Sequence, residues 1–231
     1  MEMNKETRSF NFEVRAEENE QHGTFITGTP IVFEKETDLG WCAEKIARGA
    51  LDGTDLKDVR FLVGHNTSMI PLARSRNNNE NSTMQLIVTD EGMDIRVDLD
   101  TENNAEARAL YSAVKRGDMT GMSFMFGVDK DSWEDIESDY PKRTVEHISR
   151  VLEVSAVAFP AYPQTSIQVA SEGDALDSAR ASLESARKQQ AEKREAEEAE
   201  KKAAEAAQAE LDRRTAALEK LNKLIKEVME K

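Results

Sequence analysis

The feature that most limits what this chain can fold into is a change of composition near residue 171. No proline follows Pro163 and no glycine follows Gly173, while Ala, Glu, Lys, Arg and Leu dominate as far as Lys231. Those five residues are strong helix formers, and the two missing ones are the helix breakers, so the stretch reads as one long helix. A seven-residue register runs through it. Leu176, Leu183, Gln190, Glu197, Ala204, Leu211, Leu218 and Ile225 share one position; Ala179, Ala186, Lys193, Glu200, Ala207, Arg214, Leu221 and Val228 share the other. Both seams are apolar at their ends and charged in the middle, so firm coiled-coil pairing is expected only over 211–229. For residues 185–205 two readings stand. Pairs such as Lys193–Glu197 and Glu198–Lys202, each worth about 0.2–0.5 kcal/mol, hold a solvated helix, or the segment is helical only in part.

The first 171 residues speak differently. Phe10–Val14 alternates and reads as a strand, the polar AEENEQHG as a turn, and GTFITGTPIVF as a second strand that Pro30 interrupts or places at an edge. Trp41–Leu51 shows a short helical pattern with Trp41, Ile46 and Ala50 inward, and Val59–Val63 is a compact apolar strand ending at Gly64-His65-Asn66. After a loop at Pro71 and SRNNNENS, MQLIVT and MDIRVDL form a hairpin turning at Gly92. Asn103–Arg116 is a helix capped by Asn103 or Asn104 and ended by Gly117, with Ala107, Leu110, Tyr111 and Val114 as its apolar stripe. Thr144–Ala158 is the last strand, ended by Pro160 and Pro163. Many short strands beside few helices predict an α+β body, mainly β, arranged as a barrel or sandwich. The expected division is a body over 1–171 and a charged helical tail over 172–231.

Charge narrows the partners. The net charge is −14, and the tail, with 15 acidic and 13 basic residues, carries only −2 of it. A body at −12 is unsuited to a nucleic-acid groove or an anionic membrane surface, both of which want clustered Lys and Arg. No apolar run approaches the ~18 residues of a membrane span, and the charged N-terminus has no apolar signal core. The single cysteine, Cys42, forms no intrachain disulfide and fits a reducing cytoplasm. Beside Trp41 it reads more readily as a small buried hydrophobe than as a nucleophile.

Three residues stand out for chemistry. His65 lies where a buried strand meets a turn, a frequent place for working side chains; the alternative is a half-buried histidine bonded to backbone. His22 falls in a polar turn and His147 within a strand pattern. Ser123 sits in GDMTGMSFMFG, where Met122, Phe124 and Phe126 share one strand face and Ser123 and Met125 the other. That segment is not the GxSxG elbow, because position 125 is Met, and a strand serine is often only a hydrogen-bonded one. Glu153 shares a face with Val151, Ser155 and Val157. A carboxylate there is costly to desolvate unless it meets an imidazolium or an arginine. No histidine pair or cysteine cluster has metal-ligand spacing, so no metal or other cofactor is expected.

Taken together, GTFITGTPIVF, EKIARGAL, FLVGHN, MDIRVDL, KRGDMTGMSFMFGV and LEVSAVAFPAYPQTSI resemble the prohead (capsid maturation) proteases of HK97-type tailed bacteriophages and prophages. The similarity runs from about Phe10 to Ser171. It implies a barrel-like fold akin to herpesvirus assembly proteases. It also implies a serine endopeptidase with Ser123 as nucleophile, His65 as general base and Glu153 as third member, His147 being the alternative for that third place. The substrates implied are scaffold, or the scaffold-like segment of the major capsid protein, and the enzyme itself, cleaved inside the assembling prohead in the host cytoplasm. The tail is then expected to dock on coat or scaffold or to self-associate. An assembly module of the same fold without catalysis is the alternative, and Ser123→Ala separates the two.

Overall fold

The longest runs of alternating residues become the two longest strands, β10 (Gly121–Glu134) and β11 (Lys142–Val157), paired antiparallel as one ribbon. The computed structural model describes residues 5–10, 14–19, 23–158 and 172–229. His22, Pro160, Pro163 and most of the strand expected over Phe10–Val14 lie outside those residues. The described strand there, β1 (Lys5–Phe10), starts earlier and pairs with β10, Ser9 standing opposite Ser123. Two short strands share the far side of β11, both parallel to it. β5 (Ala43–Ile46) lies along its first half and β6 (Asp58–Val63) along its second. β4 (Thr37–Asp38) and β7 (Ala73–Arg76) extend this sheet beyond β5 and β6 to seven strands.

A second sheet runs β2 (Arg15–Asn19), β3 (Gly23–Val32), β9 (Gly92–Asp98), β8 (Met84–Val88), all antiparallel. The expected hairpin is β8–β9. Its Gly92 is required by a close approach, since a Cβ there would stand 2.0 Å from the Ile31 carbonyl oxygen. Pro30 sits inside the register shift between Gly28 and Ile31, so β3 accommodates it as a bulge. Helix α1 (Ala105–Arg116) is capped by Asn104, whose side chain accepts from the Glu106 and Ala107 amides. It ends at Gly117 in the left-handed region and buries Ala107, Leu110 and Val114.

Three expectations need correction. Trp41–Leu51 is not a helix: Ala43–Ile46 is a strand, and Gly49 and Gly53, both at positive φ, turn the chain after it. Ile46 and Ala50 are buried as expected, but parallel pairing with β11 decided the local structure over the helical spacing. Residues 16–19, taken as part of a polar turn, belong to β2, an edge strand held by backbone bonds to β3 while its side chains stay mostly exposed. The body is mainly strands, but among the described residues no barrel closes. At one corner of the two sheets Arg74 and Thr83 exchange hydrogen bonds, but no continuous ladder joins them among the described residues. One core joins them, with Ile26, Met93, Ile95 and Val97 from the second sheet beside Phe61, Phe124, Phe126 and Val154 from the first. Each such fully buried side chain contributes about 1.5–3 kcal/mol.

α2 (Glu172–Met229) is one continuous helix, so residues 185–205 take the first of the two readings. Ion pairs Lys193–Glu197 and Lys202–Glu198 lie along it. The chain divides by its contacts into Met1–Leu183 and Glu184–Lys231. Within the first unit Ala179 and Leu183 are buried, and Ser182 accepts from Trp133 Nε1 at 3.0 Å and donates to Asp131. In the second, Leu211 and Leu218 are exposed.

A buried ion cluster fixes β1 to the ribbon. Arg8 binds both carboxylate oxygens of Glu44 and reaches Glu6 at 2.7 Å. Arg143 bonds Glu6 at 2.6 and 2.9 Å, Glu44 at 2.8 Å and Asp131 at 2.7 Å. Burial pushes the Glu44 carboxyl up, but Arg8 and Arg143 outweigh it and hold the group below the usual carboxylate range. Burial likewise opposes the charge on Arg143, and the carboxylates of Glu6, Glu44 and Asp131 override it.

Candidate active site

Strand pairing brings the serine and glutamate onto one face. Ser123 stands directly opposite Ser155, and Met125 opposite Glu153, so Ser123, Ser155 and Glu153 point the same way from the β10–β11 ribbon. Histidine arrives from β6, the other neighbour of this part of β11. The strand ends at Val63. Gly64 at φ 60° and His65 at φ 58° then turn the chain back, fastened by the Gly64 amide on the Ala156 carbonyl at 3.0 Å. Glycine adopts that conformation freely, whereas at a histidine it costs about 1–3 kcal/mol and persists only where the surroundings enforce it.

The turn lays the imidazole between the other two side chains. His65 Nδ1 lies 2.5 Å from Glu153 Oε1, and His65 Nε2 lies 2.6 Å from Ser123 Oγ. A carboxylate only accepts, so Nδ1 carries the proton it receives, leaving the Nε2 lone pair for the serine hydroxyl. Serine, histidine and glutamate therefore stand in hydrogen-bonded sequence, an arrangement that can activate a serine for attack on a carbonyl. Glu153 is nearly buried, and the His65 side chain keeps 17% of its surface exposed.

Ser123 itself is fully buried, and Oγ also lies 2.8 Å from the Arg8 carbonyl oxygen. The hydroxyl has one proton and faces two acceptors, His65 Nε2 and the β1 carbonyl. Proton transfer to His65 requires the first of these orientations. Sequence reasoning missed Arg8, because nothing in KETRSF marks it as the neighbour of Ser123. Ser155 was legible only as a residue sharing the face of Glu153.

The other residues considered lie elsewhere. His147 is paired with Asp129, Nδ1 to Oδ1 at 2.5 Å, and its Nε2 donates to the Asp52 carbonyl at 3.0 Å. It does not touch Ser123 or His65. Cys42 is buried, and burial, reinforced by the charge of Glu44, pushes its thiol up to about 12, so it stays protonated at neutral pH. Among the described residues no three His, Cys, Asp or Glu side chains converge as a metal site requires. No helix among them is long and apolar enough to cross a membrane.

A family model described as caudovirus prohead serine protease matches residues 10–178. No curated protein matches the chain. A solved structure, that of the bacteriophage T4 capsid assembly protease, is similar at 12% identity and a TM-score of 0.34, covering 67% of this chain and 99% of that one.

Proposed function

The chain belongs to the caudovirus prohead serine protease family, and on that premise we propose that it is a serine endopeptidase acting in capsid maturation through Ser123, His65 and Glu153. The observation that carries this reading is the continuous relay from Ser123 Oγ through both ring nitrogens of His65 to Glu153. Ser123 Oγ attacks the carbonyl carbon of the scissile peptide bond while its proton passes to His65 Nε2. The Nδ1–H of the resulting imidazolium is held on Glu153, which stabilises the positive charge. As the C–N bond breaks, Nε2–H protonates the leaving amine and an acyl-Ser123 ester remains. Water, deprotonated by the same nitrogen, attacks that ester and releases the acid, returning the proton to Oγ.

A serine without exposed surface does not meet a polypeptide, so the described state is a closed one. Among the described residues β1 covers the nucleophile, with the Arg8 carbonyl oxygen 2.8 Å from Oγ. Reaction with a fluorophosphonate tests the assignment. A single adduct on the Ser123 peptide is expected, and none from His65→Ala. No adduct on Ser123 of the full chain would remove the reading.

The substrates in this proposal are scaffold or the scaffold-like segment of the coat protein, and the chain itself. Residues 1–171 are assigned to the enzyme and 172–231 to a helical handle, whose first turns are anchored by Ser182 on Trp133 and Asp131. Exposed Leu211 and Leu218, continued in register by Ile225, suit self-association or docking on another helix. A chain stopped after Leu183 should retain peptide-bond chemistry and fail to enter proheads; normal incorporation would end that part of the proposal.

A further inference from the structure

Ser155 takes part in none of the steps above, yet it is bonded to both partners of the relay that the base needs. It is fully buried on β11, directly across from Ser123 on one side and from Leu62 of β6 on the other. Its hydroxyl donates to Glu153 Oε2 at 2.6 Å. The same oxygen accepts from the backbone N–H of His65 at 3.1 Å.

These two bonds close a circuit. From the His65 amide the path runs to Ser155 Oγ, to Glu153 Oε2, across the carboxylate to Oε1, and back to His65 at Nδ1. Histidine is thus held at its main chain and at its ring by one two-residue unit. The main-chain hold falls on the residue forced to φ 58°, where strain persists only if neighbours over-determine the backbone. The carboxylate hold fixes the second oxygen of Glu153, leaving the first aimed at Nδ1. Remove the hydroxyl and both constraints go at once: the amide loses its acceptor and the carboxylate is free to rotate.

We infer that Ser155 is a positioning residue that sets the angle of the His65 ring toward Ser123 by tying the strained His65 backbone to the Glu153 carboxylate. This rests on the protease reading for its consequence in rate, but not for its geometry. Misplacing a reacting group by about 1 Å costs on the order of 10²-fold, so loss of Ser155 should slow Ser123 attack roughly 10- to 100-fold. Half-saturation by the reagent should be unchanged, because the Ser155 hydroxyl is engaged by Glu153 and the His65 amide.

The test uses the full chain and three substitutions. Ser155→Ala deletes the hydroxyl; Ser155→Thr keeps it; Ser155→Val matches threonine in shape without it. The first readout is the proton resonance of His65 Nδ1–H, which a short charge-assisted bond to a carboxylate moves far downfield. Wild type and Ser155→Thr should share it, while Ser155→Ala and Ser155→Val lose it or shift it upfield. The second readout is the limiting rate of fluorophosphonate attack on Ser123, 10- to 100-fold lower in Ala and Val and restored in Thr. A resonance common to all four folded chains, or equal rates in all four, overturns the inference. Should threonine prove too large to fit, Ser155→Ala alone decides against wild type by the same two readouts. A wild type that never labels, with the resonance pattern as expected, would instead sink the protease reading and leave the positioning role standing.

Discussion

The two ends of the β10–β11 ribbon are both polar and largely buried, and they are put together on opposite plans. At one end Ser123, His65, Glu153 and Ser155 form a line of hydrogen bonds around a residue at positive φ, with His65 left partly open to solvent. At the other end Glu6, Arg8, Glu44, Asp131 and Arg143 saturate one another with ionic bonds, and Arg8, Glu6, Glu44 and Arg143 are almost wholly buried. One end is a line of hydrogen bonds through a histidine; the other is a set of paired charges. β1 touches both, its Arg8 side chain in the cluster and its Arg8 carbonyl on Ser123. The same strand pair thus carries full charges that lock and, at its other end, the hydroxyl–imidazole–carboxylate line to which the proposal assigns the chemistry.

The sharpest way to break this contrast is to mutate each end and ask whether activity or stability responds. Ser123→Ala or His65→Ala should lower cleavage by on the order of 10⁶-fold while leaving the urea midpoint nearly unchanged. Glu153→Gln puts an amide against Nδ1 and favours the wrong tautomer, so a loss on the order of 10⁴-fold in kcat is expected from steady-state kinetics. At the other end, Arg143→Met leaves Glu6, Glu44 and Asp131 facing one another in a buried site. It should destabilise the body by about 3–5 kcal/mol in urea unfolding. If Arg143→Met left stability intact and Ser123→Ala unfolded the protein, the assignment of the two ends would be reversed.

Acid should also distinguish them. The folded Glu44 value lies below its ordinary 4.5, so its contribution to stability is complete above that value and is lost as pH falls through the lower, folded one. Urea midpoints measured downward from pH 6 should therefore drop more steeply in wild type than in a chain lacking Glu44. The smallest effect concerns His147, whose imidazole is raised above 6.5 chiefly by the Asp129 hydrogen bond. That contribution is present below 6.5 and fades as pH rises through the folded value, and His147→Gln should remove this slope with no change in catalysis. A loss of cleavage in His147→Gln would return it to the catalytic set.

The end with the candidate site was more legible in the sequence than the locked end, and the reason is physical. Ser123 and Glu153 fall within apolar strand patterns and His65 just past the end of one, so each is visible as a local anomaly, while their roles came from the family resemblance. α1 was visible too, because Asn104 and Gly117 carry their capping roles in residue type alone. The cluster draws Glu6 from KETRSF, Glu44 from AEKI and Arg143 from PKRTV, segments in which charge looks like ordinary solvated surface. Their burial depends on partners more than 35 residues apart in most pairs, for which no local pattern exists. The same non-local pairing turned the helical spacing of Trp41–Leu51 into β5. Closure into a barrel was not decided by strand count either, since it depends on whether edge strands find each other.

The most direct measurement is mass spectrometry of the purified full chain beside its Ser123→Ala variant, each alone and co-expressed with the phage coat protein. The account predicts discrete fragments of the chain or of the coat protein with wild type and intact masses with the variant. Intact masses for both, with coat protein present, or the same fragments from both, would contradict a protease that works through Ser123.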